Sequence, residues 1–320
     1  MAKKARTKLA ETPDLKGRVS YFTGEKPTLE FVPSGCTLLD CALGGGWCIG
    51  RVANVVGDRS TAKTGLAMEA LINFLLKYPS ARAAYRETEA AFDKGYAEAM
   101  GLPLDLVDFG ADHALETVED FARDFDEFLN ERLKAQSPGL YILDSLDALS
   151  DEAEMDRDLS KGSYGMEKAK MLSAFFRKSA SKIEKAKVLL MVISQVRDNI
   201  GVTFGDRQRR SGGKALDFYA SQILWLSHVE TLKKTINKII RPVGIGIRSK
   251  VKKNKVGLSF REAEFPYMFA YGIDDDKASM DWLKSVGRDC PDDLNELPAT
   301  VRKTWAEVET TFLPQKRKYG

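Results

Sequence analysis

Apolar residues fall into short dense runs separated by longer stretches where they recur every third or fourth position. This alternation of two periods predicts strands interleaved with helices. Residues 52–56, VANVV, read as a β-branched strand ending at Gly57, and GLAMEALINFLLKY after Thr64 has helical spacing. Further buried-strand runs fall at 81–85, at 139–143 (GLYIL) and at 188–193 (VLLMVI), with amphipathic helical patterns at 115–133 and 166–186 between them. Strand, helix, strand implies a parallel sheet with right-handed crossovers, whose ligands collect at the carboxyl ends of the strands.

The flanking patterns are weaker. Residues 36–43, CTLLDCAL, predict a helix stopped by Gly44-Gly45-Gly46. Residues 1 to about 30 have few apolar groups (Leu9, Val19, Tyr21, Phe22) and no sustained period, as expected of a mobile arm that docks on a neighbouring subunit. Polar, glycine-bearing stretches at 151–165 and 196–214 read as loops, and a loop as long as the second is usually either functional or disordered; its place after a strand on the nucleotide edge favours the functional reading. Residues 216–220 and 223–226 lead toward a further strand, 244–256 and 258–265 read as paired strands, and the last 45 or so residues as a small helical appendage.

The polar residues at the strand ends carry the chemistry. After the first strand comes GDRSTAKT, with Gly57, then Asp58, Arg59, Ser60, Thr61 and Ala62, then Lys63-Thr64. A small-residue turn between strand and helix exposes successive backbone N–H groups to a phosphate chain, and the helix N-terminus adds favourable partial charge. In this arrangement Lys63 reaches the β- and γ-phosphates and Thr64 ligates magnesium. Ala62 stands where the motif expects glycine, so a Cβ restricts positive φ there. Glu89 follows the second strand on the same edge, a position that suits a base orienting water against the γ-phosphate. Asp144 closes the GLYIL strand as a second magnesium-site element, and Ser194-Gln195 closes VLLMVI.

Composition then sets bounds. The 320 residues, 43% hydrophobic and 30% charged, suffice for a large domain with a smaller appendage. No apolar run is long enough to cross a bilayer and the basic N-terminus lacks an apolar core, so the expected location is the cytoplasm, with no membrane contact. Cys36, Cys41, Cys48 and Cys290 form no CxxC pair, and only His113 and His228 are present, so a histidine or cysteine metal centre is not expected. Net charge is a mild +3, yet residues 231–255 hold nine basic residues and no acid. That local excess is either the footprint of a polyanionic partner or a solvated face balanced elsewhere.

The order GDRSTAKT, ETEAAFDKGYAEAMGL, LYILDSLDAL, MVISQVRDNIGVTFGDRQRRSGGKALDFYAS and KVKKNKVGLSFREAEF resembles the bacterial RecA recombinases over residues 34–273. Ala62 before Lys63, Lys-Tyr-Pro after the first helix, and EKAKMLSAFFR are closer to phage UvsX-type members. The resemblance implies an α/β fold: a RecA-like phosphate-loop ATPase core at 33–273 with a mainly parallel sheet flanked by helices, an arm at 1–32 and a small helical domain at 274–320. It further implies an ATP- and magnesium-dependent strand-exchange protein that forms helical filaments on single-stranded DNA and pairs it with homologous duplex, helped by a single-strand-binding protein or loader.

By the same resemblance Lys63, Thr64, Glu89 and Asp144 keep the roles above, Asp93 and Tyr96 lie near the adenine, and Gln195 senses the γ-phosphate. Lys253 and Lys255 reach a neighbour's phosphates, and Phe218 lies at the subunit interface. The DNA-facing set is Met155 and Arg157 in the first loop. In the second it is Arg197, Asn199, Ile200, Gly201, Val202, Arg207, Arg209, Arg210, Gly212 and Gly213, with Ile200 wedging between bases. The family's acidic tail has no counterpart in QKRKYG. Two other readings stay open: a DNA motor of the same fold, which has no reason for the 195–221 stretch, and a non-hydrolysing filament protein in which Ala62 abolishes turnover.

Overall fold

A computed structural model of the chain describes residues 29–89, 92–110, 115–151, 166–198, 208–210 and 213–314. Its strands are β1 (Phe31–Val32), β2 (Trp47–Cys48), β3 (Val52–Gly57), β4 (Arg82–Glu87), β5 (Val107–Asp108), β6 (Gly139–Asp144), β7 (Val188–Asp198), β8 (Gln208–Arg210), β9 (Gln222–Ile236), β10 (Ile239–Asn254), β11 (Glu262–Met268) and β12 (Gly272–Ile273). The helices are α1 (Thr37–Leu43), α2 (Lys63–Lys77), α3 (Lys94–Ala99), α4 (Val118–Ala135), α5 (Met166–Lys185), α6 (Gly213–Tyr219), α7 (Asp275–Ser285) and α8 (Leu297–Phe312).

A ten-stranded sheet runs in the order β12-β11-β10-β9-β3-β7-β6-β4-β5, with β8 paired to β7 off that path. From β9 through β5 the neighbours are parallel, whereas β10, β11 and β12 continue the sheet antiparallel. The architecture is therefore the expected α/β one, a mainly parallel sheet between helical layers. Every residue of β3 and β6 is buried, because helices cover both faces.

Side chains alternate between two apolar layers, as the strand period requires. Ala53, Val55, Leu189, Met191 and Ile193 pack toward α1, α2, α7 and α8, while Val52, Val56, Val188, Leu190 and Val192 pack toward α4, α5 and α6. Leu283 of α7 and Leu297 and Val301 of α8 belong to the first layer, so the C-terminal helices close the core beside α1. Both α1 and α4 have well-defined caps. Gly44 takes φ 82° and ends α1, and Thr117 with Asp120 forms a complete capping box on α4.

Some boundaries differ from the periodicity. β7 runs on through Ser194 and Gln195 to Asp198, and β8 returns against it, with Val196, Arg197 and Asp198 opposite Arg210, Arg209 and Gln208. Residues 196–198 and 208–210 of the stretch at 196–214 thus form a two-stranded ribbon, because main-chain hydrogen bonding continues where apolar patterning stops, and Gly213 and Lys214 already belong to α6. Leu216 lies in α6 rather than on the approach to a strand. β10 starts at Ile239, before the expected 244, and β11 starts at Glu262, after the expected 258.

Candidate functional site

At the carboxyl edge of the parallel strands, β3 empties through residues 58–62 into α2. The turn is held from within: Thr61 Oγ1 donates to Asp58 O at 2.8 Å, and Arg59 N donates to Asp58 Oδ1 at 2.7 Å. Ser60 and Ala62 both take left-handed backbone, with φ 55° and 58°. Ala62 therefore adopts the conformation its Cβ disfavours, at a cost of roughly 1–2 kcal/mol. Its carbonyl accepts from Leu66 N and so begins the α2 ladder.

Lys63 Nζ bends back over the turn and donates to Asp58 O at 2.6 Å. Burial lowers the Lys63 pKa, and the negative charges of Asp144, Asp58, Glu89 and Asp147 oppose that shift. Thr64 Oγ1 and Tyr85 Oη both donate to Asp144 Oδ2, at 2.8 and 2.7 Å. Burial raises the Asp144 pKa against those two hydrogen bonds, which favour the ionised form.

Glu89, Ser145 and Gln195 meet beside this centre. Ser145 Oγ donates to Glu89 Oε1 at 2.5 Å and Gln195 Nε2 donates to the same oxygen at 2.8 Å. Gln195 N donates to Asp147 Oδ2 at 2.7 Å. Below them Thr88 ties β4 to β6: Thr88 N donates to Asp144 O, and Thr88 Oγ1 donates to Ser145 O at 2.7 Å. Four strand ends thus converge on one edge, and Gln195 immediately precedes the β7–β8 ribbon.

Beside the turn lies a cavity of about 430 Å³, lined by the turn, Asp93, Tyr96, Met68, Ile245, Tyr267 and Phe269. Asp93 caps α3 by accepting from Tyr96 N at 3.0 Å. Tyr96 Oη and Tyr267 Oη are 3.2 Å apart, and Tyr267 lies so close to α2 that a Cβ on Gly65 would sit 2.1 Å from its hydroxyl oxygen. Glycine at 65 is what admits this ring. One side of the cavity is the turn and the start of α2, and the other carries the three rings of Tyr96, Tyr267 and Phe269 with Met68, Ile245 and Asp93, a lining that suits a flat base joined to a polyphosphate.

The sequence reading missed Tyr85, Ser145, Thr88, Tyr267 and Phe269. Aromatic residues in buried runs carry no local mark of a site, and Tyr267 arrives from a distant strand. Lys253 and Lys255 are not part of this pocket. Lys253 Nζ donates to Asp217 O and Phe218 O, and Lys255 Nζ to Phe218 O, at the C-terminal end of α6. Phe218 beside them is 74% exposed. Met155, Arg157, Asn199, Ile200, Gly201, Val202, Arg207 and Gly212 lie outside the described residues. Arg197, Arg209 and Arg210 are placed on the β7–β8 ribbon, and Gly213 at the start of α6.

Among the described residues no cluster of three or more His, Cys, Asp or Glu side chains could hold a metal by itself, and no helix is long and apolar enough to cross a membrane. A parallel sheet with a phosphate turn, a strand-end aspartate and a strand-end glutamate defines the phosphate-loop nucleotide-binding class.

Comparison with known proteins narrows that class. Residues 14–274 match the RecA N-terminal domain family. The protein named Protein RecA from Streptomyces avermitilis is 34% identical over 262 residues, 81% of this chain and 65% of that protein. Those of Nocardioides sp. and Nostoc punctiforme are each 34% identical, over 81% and 77% of this chain and 70% and 64% of their own lengths. The chain belongs to the RecA family. Its match spans about two thirds of the length of these relatives.

Proposed function

We propose that the protein is an ATP-dependent DNA strand-exchange recombinase that forms helical filaments on single-stranded DNA and pairs it with homologous duplex. The observation that carries this reading is the Gln195–Glu89 hydrogen bond of 2.8 Å, which ties the phosphate site to the ribbon entering the second loop. A chain built only to bind nucleotide has no need for that tie.

Lys63 neutralises the β- and γ-phosphates after exchanging the Asp58 carbonyl for them, and the turn's N–H groups hold the remaining oxygens. Tyr96 and Asp93 take the base end in the aromatic half of the cavity. Thr64 and Asp144 present hard oxygen donors 2.8 Å apart, which fits magnesium, with the remaining ligands coming from phosphate and water, since among the described residues no cluster of His, Cys, Asp or Glu supplies them. When bound, magnesium neutralises charge on the phosphates.

Glu89 orients the attacking water and accepts its proton. Gln195 shares the Glu89 carboxylate with Ser145, so a change at the γ-phosphate redistributes hydrogen bonds at Gln195 and moves the strand that carries Arg197. DNA binding and nucleotide state become one linked equilibrium. Lys253 and Lys255, held at the α6 terminus beside exposed Phe218, reach the phosphates of a neighbouring subunit, so the site is complete only in a filament. The arginines at 197, 207, 209 and 210 contact phosphates, and Ile200 wedges between bases; neither reads sequence, so homology is read by base pairing. A single-strand-binding protein or loader assists assembly in the cytoplasm, that of a bacterial host if the chain is phage-encoded.

The test is joint-molecule formation between a labelled single-stranded oligonucleotide and a homologous supercoiled plasmid with magnesium and ATP. Products that require homology, ATP and Lys63, and vanish in Lys63→Ala, are expected. Oligonucleotide binding without pairing would replace strand exchange by a filament or motor function.

A further inference from the structure

The nine basic residues of the 231–255 run fall into two groups with different fates. Arg248 pairs with Glu264 at 2.5 Å and Lys250 with Glu262 at 2.7 Å on β11. Lys252 stands 3.8 Å over the Trp225 ring, and Lys253 and Lys255 hold the α6 carbonyls. Lys233, Lys234, Lys238 and Arg241 remain, and among the described residues none of them has a carboxylate within ion-pair distance.

These four share one projection. β9 pairs with β3 only as far as Leu226 opposite Gly57, and β11 begins pairing with β10 at Gly244. Residues 233–242 are therefore a two-stranded ribbon paired only within itself, whereas 227–232 still pair with the part of β10 that β11 holds. The ribbon leaves the sheet at the edge that carries the phosphate turn. Four residues of β9 beyond Leu232, at about 3.3 Å each, carry its tip roughly 13 Å past the last β10–β11 pairing. The turn is Asn237-Lys238, both at positive φ (49° and 63°), the twist that closes a tight hairpin.

Directly opposed residues share a face. Lys234 opposes Arg241, and Ile236 opposes Ile239 at the tip. Two cations placed opposite each other destabilise a hairpin. Exposed isoleucines, 58% at Ile236, 55% at Ile239 and 57% at Ile240, gain nothing in water. Lysines and Pro242 on bare strand edges are also what prevents edge-to-edge aggregation. That explanation covers Lys233 and Pro242 but not an apolar tip beneath an opposed Lys–Arg pair.

We propose that the 233–242 ribbon is a docking arm for double-stranded DNA: Lys233, Lys234, Lys238 and Arg241 contact phosphates while the isoleucine tip enters the major groove. That groove admits a two-stranded β-ribbon, and apolar side chains find base methyl groups there. The phosphate contacts hold the duplex without regard to sequence, as a homology search needs. The proposal deepens the recombinase reading and rests on it for the identity of the polyanion.

The test is anisotropy of a labelled 40-base-pair duplex across a potassium chloride series, with magnesium and a non-hydrolysable ATP analogue, for the parent and the variant K233Q/K234Q/K238Q/R241Q. A control, K134Q/K178Q/K284Q/K303Q, removes four exposed charges elsewhere. The arm variant is expected to bind duplex at least tenfold more weakly, with a log–log salt slope shallower by about 2–4, since each phosphate contact contributes about 0.9. Its oligo-dT binding and ATPase rate should match the parent, its melting temperature should equal or slightly exceed that of the parent, and the control should bind duplex like the parent. An unchanged slope in the arm variant, an equal loss in the control, or an equal loss of oligo-dT binding would overturn the proposal. A parent that neither hydrolyses ATP nor binds oligo-dT overturns the recombinase reading instead, and the arm is then judged on the duplex slope alone.

Discussion

β9 is one continuous strand with two physically different halves. Residues 222–226 pair with β3 and are almost wholly buried, whereas 227–236 pair only with β10 and stand almost wholly in water. In the first half burial decides the residue: Ile223, Leu224 and Leu226 fill the two core layers. In the second half nothing in the fold asks for lysine or isoleucine. What packing does not explain there, recognition has to, and this separates the arm from the rest of the sheet.

The largest expected effect that could break this contrast is on stability. Leu224→Ala should cost about 2–5 kcal/mol in urea unfolding, while Ile236→Ala on the same strand should stay within about 0.5 kcal/mol. Comparable losses would mean that the projection packs on something and is not free.

Charge provides the next comparison. Asp40 of α1 is buried, and burial raises its pKa to about 6 from 3.8 against hydrogen bonds from Ser34. The folded chain holds the proton up to about pH 6 and the unfolded chain releases it near 3.8. Asp40 therefore favours the fold most below that window and progressively less as pH rises through it. Asp40→Asn should flatten the stability profile between pH 4 and 6 by about 2–3 kcal/mol. A parallel profile in the variant would remove this account of the buried carboxylate.

The smallest effect sharpens the contrast most. Lys234→Glu places an acid opposite Arg241 and should stabilise the ribbon by about 0.2–1 kcal/mol, while weakening duplex binding. A variant that loses stability or keeps its DNA affinity would show that the opposed cations are not held for a ligand.

Legibility in the sequence follows the same division. β3, β6 and α2 could be read because burial on both sheet faces leaves dense apolar runs and helix packing leaves a 3.6-residue period. The phosphate turn was legible because its chemistry is local. Tyr267 was not: its place over Gly65 is made by two distant segments. Residues 239–243 were missed as strand because a ribbon exposed on both faces has no alternation to detect, and its turn is Asn-Lys rather than the commoner Asn-Gly. Ala62 was legible as a departure, and the structure adds that it takes the left-handed conformation of the glycine it replaces.

The central claim is that nucleotide state and DNA are coupled through Glu89 and Gln195. Steady-state ATP hydrolysis with and without single-stranded DNA, in the parent and in Gln195→Ala, tests it most directly. The account predicts a parent rate that rises on adding DNA and a variant that binds ATP but turns over at one rate regardless of DNA. A parent indifferent to DNA, or a variant stimulated as strongly as the parent, would contradict it.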